Sequence, residues 1–125
     1  MSALCMALAS GVLLASVPAE RFTLSWTHSV ERTEWQEEWR IDGGRLVLET
    51  ARVKGAGAGM EPPPDARLSG GWFVWHPRVP PQERVVLAAS SHTADHRLCA
   101  GGVCRPLHDW LGPGTEGSVE LRPCS

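Results

Sequence analysis

One histidine, one serine and two carboxylates lie close together early in the chain: His28, Ser29, Glu31 and Glu37. These are the residue types of a hydrolase, in which a base takes a proton from a hydroxyl nucleophile and an acid orients the base. Strand parity argues against that assignment. The stretch 22–30 alternates, with Phe22, Leu24, Trp26, His28 and Val30 on one face and Thr23, Ser25, Thr27 and Ser29 on the other. Ser29 therefore points away from His28, and the chain has no Gly-x-Ser-x-Gly elbow. No catalytic residue is assigned. A hydrolase, metal-dependent or acid/base, using His28 and Glu37 stands as the alternative reading.

The next strand, 35–41, places Trp35, Glu37, Trp39 and Ile41 on its apolar face. Antiparallel pairing about Arg32-Thr33 sets His28 opposite Glu37, Trp26 opposite Trp39 and Leu24 opposite Ile41. Arg-Thr is poor chemistry for a two-residue turn, so a longer loop or a bulge is expected there. Asp42-Gly43-Gly44 is a much better turn. It returns the strand 45–53 with Leu46 and Leu48 beside Ile41 and Trp39, and it brings Arg52 near Glu37 as a second partner. A buried carboxylate without a partner costs several kcal/mol or stays protonated. His28 or Arg52 is therefore expected at Glu37. The pair either fixes strand register or sits at the mouth of a pocket that binds a polar ligand.

Lys54-Gly-Ala-Gly-Ala-Gly-Met60 can turn backbone N–H groups toward an anion. It lacks the Gly-Lys-Ser/Thr of a P-loop, and Pro62-Pro63-Pro64 follows where a nucleotide fold needs a helix. The glycine run is read as a connection between sheets, with Arg52 and Lys54 open as contacts for an organic anion. His92, Asp95, His96, Cys99, Cys104 and His108 contain metal-ligand types. However, Cys99 and Cys104 flank the turn Ala-Gly-Gly-Val, and a disulfide across a hairpin is their simpler use. Cys124 is then free, or it competes for one of them. No metal and no cofactor are assigned.

The elements that must carry these residues are strands. The chain has 125 residues, enough for one domain, and a net charge of −2, so nothing marks it as a nucleic-acid or anionic-membrane binder and no nucleic-acid partner is expected. Helical periodicity is nearly absent after residue 20, and 13 Gly and 10 Pro break the chain into short alternating runs. Strands are expected over 22–30, 35–41, 45–53, 72–75, 84–89, 97–99, 103–107 and 118–121, with a helical turn over 108–111 ended by Gly112-Pro113-Gly114. Trp72 and Trp75 fall on opposite faces of their strand. This pattern predicts an all-β fold, a small antiparallel sandwich or a partly open barrel.

Residues 1–19 read differently. Ser2–Ala19 is small and apolar, and its apolar run Ala3–Val17 is too short for a comfortable membrane span, with the small-residue exit of a secretory signal but no Lys or Arg before it. The expectation is a signal peptide or a short membrane anchor over 1–19, followed by a single domain over 20–125. The protein is then periplasmic or otherwise exported, either free or tethered to the inner membrane.

His28-Ser29-Val30-Glu31, then Glu37 and Trp39, then Gly57-Ala58-Gly59-Met60 form a pattern that resembles a bacterial family catalogued as domain of unknown function 1850. The resemblance runs from Phe22 to the C-terminus. The matching motif positions are His28, Ser29, Glu31, Glu37, Gly57 and Gly59. The resemblance implies a small exported or membrane-tethered protein, often encoded beside TAXI-type TRAP transporters that import organic acids. It implies no enzymatic activity. The expected function is a non-enzymatic accessory of such a system, acting by protein contact or by holding a small anion. A purely structural envelope protein is the third reading.

Overall fold

The computed structural model of the protein describes residues 2–27, 33–54, 62–89, 96–112 and 114–124. Among these described residues, eleven strands and one short helix follow in the order β1 (Ala3–Leu8), β2 (Leu13–Pro18), β3 (Arg21–Thr27), β4 (Glu34–Asp42), β5 (Arg45–Lys54), β6 (Arg67–Ser69), β7 (Trp72–Trp75), β8 (Val85–Ala89), β9 (Arg97–Ala100), β10 (Val103–Pro106), α1 (Leu107–Leu111) and β11 (Gly117–Cys124). They form two antiparallel sheets. The smaller runs β2-β1-β11-β8 and the larger β10-β9-β3-β4-β5-β7-β6. Neither closes into a barrel, so the architecture is the open all-β sandwich expected from the alternating runs.

The sheets meet over a core of Leu4, Met6, Phe22, Leu24, Trp39, Ile41, Leu46, Leu98, Val119 and Leu121, closed at one side by Leu107 and Leu111 of α1. Tight turns set the registers. Gly43 adopts φ +61° between Asp42 and Arg45, which face each other across the β4–β5 hairpin. Gly101, at φ +59°, turns β9 into β10, and a Cβ there would meet the Pro18 carbonyl oxygen at 2.9 Å. Only glycine fits this approach of the larger sheet to β2.

Residues 3–18, expected to stand apart from the domain, belong to the smaller sheet. β1 lies between β2 and β11, and Leu4, Cys5, Met6 and Ala7 are all buried. A strand buried on both faces shows no alternation, so its composition matches the apolar run of a signal. Cys5 forms a disulfide with Cys124, which corrects the expectation that Cys124 is free or competes for Cys99 or Cys104. Cys99 and Cys104 are joined to each other across the β9–β10 hairpin. Two disulfides fit an oxidising, extracellular-type environment. Among the described residues no helix is long and apolar enough to cross a membrane.

Candidate functional site

The expected strand register and the expected meeting of Glu37 with Arg52 are both corrected. First, β3 and β4 pair in a different register. Leu24 lies opposite Glu37, Trp26 opposite Trp35, and Phe22 opposite Trp39. The ladder is slipped by two pleat repeats from the expected one, bringing residue 24 across from Glu37. An even slip keeps every residue on its face, so the hydrophobic pattern alone does not select between the two registers. The observed one stacks Phe22 on Trp39 and Trp26 on Trp35, with ring centroids 6.1 and 6.2 Å apart. His28, Ser29 and Glu31 themselves, with Gly57 and Gly59, lie outside the described residues.

Second, β5 carries a bulge. Trp39 faces Leu48 but Glu38 faces Thr50, so Glu49 is the extra residue between them. The bulge reverses the parity of everything after it. Ala51 and Val53 join Glu37 and Trp35 on the inner face, while Arg52 moves to the outer face opposite Gln36. There Arg52 Nη2 meets Glu38 Oε2 at 2.6 Å. Glu49, pushed outward, accepts Arg21 and Arg40. The candidate residues are thus divided between the two faces of the larger sheet.

The inner face presents Glu37 among indoles. Trp39 Nε1 donates to Glu37 Oε1 at 3.1 Å. Trp35 and Trp39 flank it along β4, and Trp75 lies two strands away in the same row, beyond Ala51. Trp35 and Trp75 meet edge to face at 6.1 Å, and Trp26 touches the His96 ring at 5.4 Å. Burial raises the Glu37 carboxyl above its ordinary pKa, and the indole hydrogen bond offsets part of that rise.

The outer face presents cations. Arg52, Val74 and Arg67 lie in one row across β5, β7 and β6, and Lys54, Trp72 and Ser69 lie in the next. Lys54 Nζ sits 5.8 Å from the centroid of the Trp72 ring. Arg52, Asp65, Arg67, Ser69, Val74, Trp75 and His76 line a groove of ≈ 620 Å³. His76 Nδ1 is anchored 3.0 Å from the Glu49 carbonyl oxygen. Trp72 and Trp75 therefore do face opposite ways, as their spacing requires.

Arg67 and His76 were not singled out by sequence reading. The signal was present in Gly70-Gly71, both at positive φ, which close the β6–β7 hairpin between two short alternating runs. A three-residue edge strand gives too little alternation to be read by itself. Of the metal-type residues, Cys99 and Cys104 are consumed by their disulfide, and no group able to hold a metal ion occurs among the described residues.

Comparison with known proteins adds one relationship. No curated protein and no solved structure matches the chain. A family profile described as "Domain of unknown function (DUF1850)" matches residues 22–107, which include Glu37, both rows of outer-face cations and the β9–β10 disulfide. The match spans more than half of the chain, and the protein belongs to the DUF1850 family.

Proposed function

We propose that the protein is an exported, periplasmic, non-enzymatic accessory of a TRAP-type (TAXI) organic-acid uptake system that holds a small organic anion. The observation that supports this reading is the placing of Arg52 and Arg67 in a groove on one face of the larger sheet, with Ser69 and His76, and of Lys54 in the next row of that face. Adjacent strands are about 4.8 Å apart, so the Cα atoms of Arg52 and Arg67, on either side of Val74, are separated by about 10 Å. The guanidinium of Arg67, together with that of Arg52, which also pairs with Glu38, suits the carboxylates of a short organic acid.

Binding suits the geometry better than catalysis. Among the described residues Glu37 contacts an indole N–H and no hydroxyl or thiol nucleophile, and all four cysteines are in disulfides. Co-purification of the full chain with the membrane and binding-protein components of a TAXI-type transporter tests the partner half of the proposal. Enrichment of those components over a groove variant, Arg52→Ala/Arg67→Ala, supports it. Equal recovery with both chains, each folded, contradicts it.

A further inference from the structure

The inner face of the same sheet carries a second arrangement, chemically opposite to the first. Glu37, Ala51 and Trp75 stand in one row, and Trp35 and Val53 in the next. Ala51 is buried and small, so it forms a floor between the taller side chains of Glu37, Trp35 and Trp75. Trp35 and Trp75 meet edge to face and are half-buried, as is Glu37. Trp35 and Trp75 also lie outside the apolar cluster that joins the two sheets, so their packing there does not explain them. Among the described residues no Lys, Arg or His forms an ion pair with Glu37; its contact is the Trp39 indole N–H.

We propose that Glu37, Trp35 and Trp75 form a binding site for a small organic ammonium group, primary or quaternary. A carboxylate drawn out of water is stabilised by a positive charge more than by a neutral hydroxyl, because the cation offsets the desolvation of the charged form. The faces of Trp rings attract the same cation when it lies within about 6 Å of the ring centroid. Glu37 and Trp75 rise from strands two apart, about 10 Å between Cα atoms, so one ammonium group above Ala51 can reach the carboxylate and an indole together. The Trp39 N–H holds one carboxylate oxygen and leaves the other to the ligand. Trp75 also lines the outer groove, but Glu37 and Trp35 do not, so the response of Glu37→Gln separates this site from the anion reading.

The test follows tryptophan fluorescence and heats of binding of the full oxidised chain with choline, butylammonium and 3,3-dimethylbutanol, the neutral isostere of choline. N-acetylglucosamine is included because Trp-lined sites also stack sugars. The two cations are expected to bind at millimolar concentration or below, about tenfold or more tighter than the neutral isostere, and Glu37→Gln is expected to remove that preference while Trp75→Leu weakens both cations. Equal binding of choline and its isostere overturns the proposal, as does saturation by the sugar alone or no response to either cation. Cation binding by a folded Glu37→Gln chain equal to that of the wild type also overturns it. The comparison of choline with its isostere uses only the wild-type chain, so it decides the question even if a variant does not fold.

Discussion

Trp39 donates its indole N–H to the Glu37 carboxylate across 3.1 Å, from two residues further along the same strand. The contact joins a buried core residue to a half-buried acid on one face of β4. It satisfies one oxygen without neutralising the charge, so the carboxyl remains harder to ionise than in water.

A pH dependence follows from that contact. The folded pKa of Glu37 is raised above 4.5, so between the unfolded and folded values the native state holds the proton more tightly. The stability cost of Glu37 is absent below the unfolded pKa and complete above the folded one. Glu37→Gln keeps an acceptor for the Trp39 N–H and removes the titration. Its stability relative to wild type is expected to rise as pH increases from the acid range to neutrality, measured by urea denaturation at a series of pH values. A gap between the two proteins that does not move with pH would show that burial does not penalise the charge.

The two disulfides are expected to differ in weight. Cys5 and Cys124 are 119 residues apart, whereas Cys99 and Cys104 are 5 apart. In the loop-entropy account the long closure stabilises by about 5 kcal/mol and the short one by about 2 kcal/mol. Denaturation of Cys5→Ser/Cys124→Ser and Cys99→Ser/Cys104→Ser chains measures both, and the reverse ranking would show that strain or residual unfolded structure dominates.

The N-terminal hairpin supplies a third prediction. Met6 is fully buried on β1, while Leu13 on β2 is 55% exposed. Met6→Ala is expected to destabilise by about 2–5 kcal/mol, through lost transfer energy and the cavity left behind. Leu13→Ala is expected to stay within about 0.5 kcal/mol of wild type. Similar small effects at both positions, in thermal and chemical melts, would mean that β1 does not hold the two sheets together.

The faces of the strands were legible from residue order because alternation reports parity directly, as Trp35, Trp39 and Ile41 illustrate. Register was less legible. Leu24 opposite Ile41 and Leu24 opposite Glu37 both preserve parity, and the choice depends on the stacking of Trp26 with Trp35, which residue order does not specify. The bulge at Glu49 left no sequence mark such as glycine, yet it alone sends Arg52 to the outer face. The run Ala3–Leu8 had the composition of a signal, and only its pairing with β11 and the Cys5–Cys124 bond show the central strand it forms. The Asp42-Gly43-Gly44 turn and the Cys99–Cys104 hairpin were readable because local turn chemistry determines both.

The claim that the outer face holds a small organic anion is tested most directly by calorimetric titration of the full oxidised chain with succinate at low salt. Saturable one-to-one binding is expected, weakened about tenfold or more by Arg67→Ala, since a charge-assisted hydrogen bond contributes about 1.5–3 kcal/mol. Arg45→Ala, which removes a cation that does not line the groove, is expected to change nothing. No saturable heat with the wild type, or equal weakening by both substitutions, would contradict the account.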